Sequence, residues 1–325
     1  MPEVSVIVPV YNVEPYVARC ARSLFGQTLG DMEFIFVDDF SSDRSIEIIR
    51  LVLDEFPSRK SQARFFRMPE NSGQAIVRMK GMELATGDFV IHCDADDCVV
   101  ADAYETMYRK AVSEGLDIVT CDFNIGDDDS SWKHLSLGSL PGKELSDILA
   151  GRIMGSLCNR LVRRSLLDGL IPPVGNMAED TVLAVQIICK ARTMAHISKP
   201  LYYYCRRPDS ISNSTGMNSA LRRWESLSAN VGLIVEILER DYGFEDRSSD
   251  IVYAKYRSRN YLLPYIDKPD IYRKWRSTFP EVDGQILTTK GIPWSVKFWF
   301  VLIHLKIYHP WKAVTNRLFR RSDRA

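Results

Sequence analysis

Three carboxylates fall within four residues at Asp94-Ala95-Asp96-Asp97, at the end of the apolar run from Asp88 to Cys93 (DFVIHC). Like charges this close repel one another unless something cationic sits among them. A divalent metal resolves the conflict. Oxygen donors alone select a hard cation, Mg2+ or Mn2+, which shares its coordination among one or two carboxylates, water and substrate phosphates. The competing reading is a capping turn, in which the aspartates only satisfy the amides at the start of a helix.

Other polar residues stand at equivalent places. Asp38-Asp39 closes the run Glu33 to Val37 (EFIFV) as Asp96 closes the later one, and a carboxylate there can accept from the N3–H of a uracil or the hydroxyls of a ribose. Tyr11, after the run Val4 to Val10 (VSVIVPV), offers an aromatic face. Arg78, Lys80 and Arg206 or Arg207 are candidate counter-charges to phosphate, against the ordinary alternative of surface salt bridges. The five histidines form no HxxxH or HExxH pattern, which argues against a zinc site. The seven cysteines form no CxxC pair, and their odd number fits reduced thiols in a cytoplasmic setting rather than a disulfide framework.

Positioning these residues requires a sheet. The run Val4 to Val10 reads as a strand buried on both faces, followed by a helix that Asn12 can cap and that runs to about Leu24. Strand and helix then alternate: Glu33 to Val37, a helix capped by Ser42 or Asp43, Ala63 to Met68, a helix from Gln74 to Ala85, Asp88 to Cys93, a helix from Ala101 to Glu114, and Asp117 to Cys121. Such alternation implies right-handed crossovers and a mostly parallel sheet, with the site at the C-terminal ends of its strands. Pro9 to Asn12, Asp38-Asp39, the turn through Asn71 and Gly73, and Asp94 to Asp97 all fall there.

Further on, a helix near Leu145 to Arg152, a segment Asn159 to Val162, a helix from about Asp180 to Ala191 and a strand Leu201 to Arg206 complete this part. The acidic turn Gly126 to Ser131 reads as a solvated loop, and two long helices follow at Met217 to Arg240 and Ser249 to Tyr265.

The stretches VSVIVPVYNVEPYVARCARSLFGQT, EFIFVDDFSSDRS, NSGQAIVRMKGMELATGDFVIHCDADD, AEDTVLAVQIICKA and PLYYYCRRPDSIS resemble, in order and spacing, family 2 of the glycosyltransferases, over roughly residues 1 to 213. The resemblance implies an inverting enzyme with the GT-A (nucleotide-diphospho-sugar transferase) fold, an α/β architecture with a Rossmann-like mostly parallel sheet, here with a C-terminal helical extension. It implies that Pro9, Tyr11 and Asp39 hold the nucleoside, and that Asn71 and Arg78 lie near the ribose and diphosphate. It further implies Asp94 near ribose and metal, Asp96 as the metal-binding aspartate of the DxD motif, Asp180 as catalytic base and Arg206 near the donor phosphates. Phe40 replaces the usual glycine of the DDGSTD turn, Met79 the asparagine of ARN, Cys98 the common tryptophan after DxDD, and Ala101 a proline; Tyr203 stands where relatives often carry histidine.

The implied reaction moves a sugar from a nucleotide-diphosphate donor, a UDP-sugar first, to a hydroxyl of a glycan or lipid-linked glycan, in bacterial surface-polysaccharide assembly. A polyprenyl-phosphate acceptor and a non-catalytic glycan-binding scaffold of the same fold are the alternatives within the family. A phospho-acceptor receiver domain is disfavoured, since it ends near ~120 residues.

Composition bounds the partners. The 325 residues are 46% hydrophobic and 26% charged, and 42 Lys/Arg balance 42 Asp/Glu, so no global field attracts nucleic acid. From Lys290 to Ala325, however, eight Lys/Arg face the single acid Asp323 and accompany three tryptophans. This end reads as an amphipathic segment for an anionic membrane surface, against the alternative of a helix docked on the protein. The expected organisation is 1–213 catalytic (1–122 nucleotide-binding, 123–213 acceptor-side), 214–289 helical extension and 290–325 basic tail. The opening residues show no signal-peptide pattern, so the expected location is cytoplasmic, peripheral on the inner face of the cell membrane.

Overall fold

The computed structural model describes residues 2–126, 131–140, 142–206, 216–244 and 248–308. The chain divides into two compact units, Met1–Ser214 and Thr215–Ala325.

The first unit opens with β1 (Val4–Val10), α1 (Val17–Phe25), β2 (Met32–Asp38), α2 (Ser45–Asp54), β3 (Ala63–Arg67), α3 (Gln74–Leu84) and β4 (Phe89–His92). After the acidic turn come β5 (Cys98–Val99), α4 (Ala103–Glu114), β6 (Ile118–Gly126), β7 (Lys133–Leu135), α5 (Glu144–Leu149), β8 (Arg160–Arg163), α6 (Glu179–Lys190) and β9 (Met194–Cys205). The sheet order is β3-β2-β1-β4-β8-β6-β9-β5, with β7 paired to β6. The first four strands, in the order β3-β2-β1-β4, are parallel throughout.

Alternation along β1 splits the core. Val4, Val6, Val8 and Val10 face α1, α2 and α4, whereas Ile7 faces α3 and α6 together with Ile35, Val77 and Leu183. The two sets form separate apolar layers, so helices cover both faces of the sheet. On the second face the helix lies very close: a Cβ added at Gly81 of α3 would stand 2.2 Å from Cγ2 of Ile7.

Several boundaries differ from the sequence expectation. Asn12 does not cap α1: its φ is +48°, and its Oδ1 accepts the Ser42 N–H at 2.9 Å, which ties the loop after β1 to the loop after β2. α2 begins at Ser45, where Asp43 Oδ1 accepts the backbone N–H at 3.0 Å and the hydroxyl at 2.6 Å. Between β4 and β6 the sheet inserts β8, antiparallel to both, so β6 does not continue the parallel series directly. β9 starts at Met194, before the expected Leu201, and runs parallel to β6. Of the acidic turn Gly126 to Ser131, residues 127–130 lie outside the described residues.

The second unit contains α7 (Met217–Tyr242), α8 (Ser249–Ser258), α9 (Pro269–Ser277), α10 (Val282–Gln285) and α11 (Trp294–His304). The expected single helix to Tyr265 ends at Ser258, and a 3-10 turn containing Pro264 follows, because proline cannot donate to the α-helical ladder. Fully buried Arg259 holds this corner, donating to Thr278 O at 2.8 Å, Phe279 O at 2.6 Å and Asp283 Oδ1 at 2.7 Å beneath the Trp275 ring. Trp275, Val252, Leu262, Ile286, Phe300 and Ile303 form the core of this unit.

Candidate functional site

A cavity of about 460 Å3 opens where β1, β2 and β4 end, walled on the far side by the Met154–Cys158 segment and the start of α6. Pro9, Tyr11, Asp39, Asn71, Arg78, Asp94, Asp96 and Asp180 all line it. A sheet edge where loops converge is where open α/β folds bind ligands.

At the β1/β2 end, Asp39 is buried and its carboxylate accepts the N–H of Ser72 at 2.7 Å and of Gly73 at 2.9 Å. Asn71 Nδ2 reaches Asp39 O at 3.4 Å. The turn before α3 is thereby pinned to the end of β2. Gly73 permits this turn, with φ +85° and Asn176 so close that a Cβ would sit 2.6 Å from its Nδ2. Tyr11 stays half exposed at the mouth. Its neighbour in the base-side loops, Phe40, holds φ +63° under the Arg67 guanidinium, a left-handed conformation that disfavours a side chain.

The acidic turn is built by β9. Tyr202 accepts the Asp94 N–H at 3.1 Å and donates its hydroxyl to Asp97 Oδ2 at 2.6 Å, while the Cys205 N–H donates to Asp97 Oδ1 at 2.8 Å. Asp97 is thus buried and spoken for, with its pKa driven well up by burial first and then by Asp96 and Asp94. Asp94 and Asp96 are half-buried on the cavity wall. Asp94 Oδ1 accepts from Arg78 Nη2 at 2.9 Å and Gln74 Nε2 at 3.4 Å. Part of the acidic crowding is therefore relieved by a guanidinium and by hydrogen bonds.

Arg78 is buried, and its Nε lies 3.9 Å from Glu179 Oε1. Burial opposes its charge, yet Asp94, Glu179 and Asp180 outweigh burial and hold the guanidinium protonated. Its Nε and Nη1 make no hydrogen bond among the described residues. Behind it His92 is fully buried, with neither ring nitrogen bonded among the described residues. Burial, and then the Arg78 charge, push the imidazole well below its ordinary pKa, so it stays neutral.

Glu179 and Asp180 start α6, after Ala178 in a left-handed conformation at φ +62°. Burial raises both carboxyls. Glu179 is pushed up to about 8, burial leading and Asp180 adding to it, while Arg78 pulls it down. Asp180 rises through burial against the pull of Arg78, the Thr181 N–H and Arg160. Arg160 is itself buried and bound to Ser156 O at 2.8 Å and Met154 O at 3.0 Å, fixing the segment that packs beside the start of α6, where Gly155 lies against Thr181.

One expected residue does not join. Arg206 is exposed just past β9, its N–H donating to Gly126 O at 2.8 Å, and its side chain is absent from the described cavity wall. The strand ends one residue earlier than expected, at Cys205, which pairs with Gly126 of β6. Tyr203, at the position of the missing histidine, packs edge-on against Trp132 with centroids 4.9 Å apart. Gln74, Asn176, Ser156 and Arg160 were not singled out by sequence reasoning. Gln74 directly follows the Gly73 turn, a signal that was present; the others come from a stretch without a diagnostic pattern.

For a hard divalent cation the donor set fits. Asp96 and the second oxygen of Asp94 are carboxylate groups on the cavity wall that could hold such a cation. No cluster of three or more His, Cys, Asp or Glu suited to a metal occurs among the described residues.

Comparisons with known proteins agree with this geometry. The model of "Glycosyl transferase family 2" matches residues 5–170, about half of the chain, and ends before Asp180. The putative glycosyltransferase EpsH of Bacillus subtilis is 30% identical over 217 residues, covering 62% of this chain, and the chain spans 60% of that relative's length. Staphylococcus aureus TarS, solved with UDP-GlcNAc, superposes with a TM-score of 0.63 at 18% identity, covering 99% of this chain and 92% of that one. The mannosyltransferase PcManGT of Pyrobaculum calidifontis, solved with GDP-Man and Mn2+, gives 0.54 at 15% identity, covering 95% and 88%. The alternating strands and helices, the cavity at the strand ends and the matched motifs converge on one assignment: the chain has the GT-A fold and belongs to glycosyl transferase family 2.

Proposed function

We propose that the chain moves a sugar from a nucleotide-diphosphate donor, a UDP-sugar first, to a hydroxyl of a glycan or lipid-linked glycan, with inversion at the anomeric carbon, in surface-polysaccharide synthesis. The observation that carries the reading is one cavity lined together by Tyr11, Asp39, Arg78, Asp94, Asp96 and Asp180.

Each group has a part. Pro9 and Tyr11 flank the base, and Asp39 accepts from it or from the ribose. Asn71 steadies the turn beside them. Arg78 supplies fixed positive charge to the diphosphate, with two guanidinium nitrogens not bonded among the described residues, and Asp94 aligns it. A divalent cation, Mn2+ or Mg2+, held by Asp96 with Asp94 would neutralise charge growing on the leaving diphosphate. Asp180 takes the acceptor hydroxyl proton as that oxygen attacks the anomeric carbon, while the bond from that carbon to the β-phosphate oxygen breaks. One displacement from the face opposite the leaving group inverts the configuration, and no covalent sugar–enzyme intermediate is needed. Burial raises the Asp180 carboxyl above its ordinary range, which makes it a stronger base for the acceptor proton.

The test is turnover. Asp180→Asn should lower sugar transfer by about a hundredfold or more, while UDP affinity, read by calorimetry, stays within a factor of about two. Undiminished transfer by this variant removes Asp180 as the base.

A further inference from the structure

The outward face of α11 is apolar although the helix already has a buried face. Phe300 and Ile303 pack into the core of the second unit, and Leu302 is buried as well. Trp294 (80% exposed), Phe298 (40%), Val301 (37%) and Leu305 (62%) instead face solvent. At 3.6 residues per turn these four fall within an arc of about 60°, a continuous stripe along one side. A surface helix in water ordinarily carries polar residues there, and a contiguous exposed patch marks an interaction site.

Charge decides what covers it. Lys290 and Lys306 are exposed at the two ends of the helix. Lys297, on its flank, is anchored to Leu287 O and Thr289 O, both at 2.9 Å. Between Asp283 and Asp323 the sequence contains no acid, yet it also carries Lys312, Arg317, Arg320 and Arg321. A second copy of the chain docked symmetrically would bring these like charges together, because a twofold interface apposes the same patch on both partners. A surface of anionic phospholipid meets the apolar stripe with its acyl boundary and the lysines with its headgroups. The eleven residues of α11 span only about 16 Å, half of a hydrocarbon core, so the helix lies in the interface plane. No helix among the described residues is long and apolar enough to cross a membrane.

We infer that α11 is a membrane-docking face that seats Trp294, Phe298, Val301 and Leu305 in the interface of an anionic phospholipid bilayer. The contact lies on a folded helix face and does not depend on the proposed reaction.

Co-sedimentation of the full chain with vesicles tests it without any activity measurement. Vesicles containing phosphatidylglycerol should bind the protein, more weakly as salt rises, and vesicles of phosphatidylcholine alone should bind it at least about tenfold less. Trp294→Glu/Leu305→Glu should reduce binding by about tenfold or more with an unchanged melting temperature, since both side chains are exposed. Should that variant fold poorly, Lys290→Glu/Lys306→Glu serves instead, with the same loss expected. Absence of binding to phosphatidylglycerol, or equal binding by the folded variants, overturns the inference. So does a concentration-dependent dimer in sedimentation velocity that Trp294→Glu/Leu305→Glu abolishes, since the stripe would then belong to a second copy.

Discussion

Asp180 and Glu179 are adjacent carboxyls at one helix start, and burial pushes both upward, but only Asp180 is proposed to touch the acceptor. Glu179, buried with Arg78 as its counter-charge at 3.9 Å, keeps a proton to about pH 8 in the fold and loses it near 4.5 when unfolded. Between those values the folded state binds the extra proton, so stability falls as pH rises and levels off above the folded value. Glu179→Gln should flatten urea-denaturation stability across that window and be the more stable protein at its upper end. Parallel curves for the two proteins would contradict the raised pKa. The sequence made Asp180 legible because Glu-Asp opens an apolar helical run that matches the family pattern. Arg78 reads from the sequence as a counter-charge to phosphate, with a surface ion pair as the alternative; the fold buries it between Asp94 and Glu179. Arg206 is exposed just past β9, and a residue beyond a strand end has no periodicity to fix its direction.

At the scale of elements, continuous β-branched runs such as VSVIVPV and the Asp39 and Asp94 strand ends made the parallel half readable. β8 escaped because Arg160–Arg163 is only four residues long and carries arginine at both ends. β9 was half-read because its first seven residues, MAHISKP, carry Lys199 and Pro200 and alternate poorly. The contact that sets the α3 height over the sheet, and hence Arg78 over Asp94, is Gly81 on Ile7. Gly81→Ala should cost about 1–3 kcal/mol by overpacking, in spite of alanine's better helix propensity. The check is a double-mutant cycle in urea: Gly81→Ala/Ile7→Ala should be less destabilised than the sum of the single variants, because removing Cγ2 relieves the clash. Simple additivity would mean that the helix shifts away and the proximity carries no constraint.

For the whole molecule, the 42 to 42 charge balance hides an uneven distribution, with acids gathered at the sheet edge and bases at the C-terminal end. The family match stops at residue 170, while Asp180 and the strand that holds the acidic turn lie beyond it. The completed cavity is therefore a property of the entire first unit. The central claim is that this cavity takes a nucleoside diphosphate through Asp96 and a divalent cation. Calorimetric titration of UDP and GDP, each with and without Mn2+, tests it on the unaltered chain and on Asp96→Ala. The account predicts saturable binding of one of them that requires Mn2+ and falls by at least about tenfold in the variant. Equal affinity in both proteins, or no nucleotide bound at all, would contradict it.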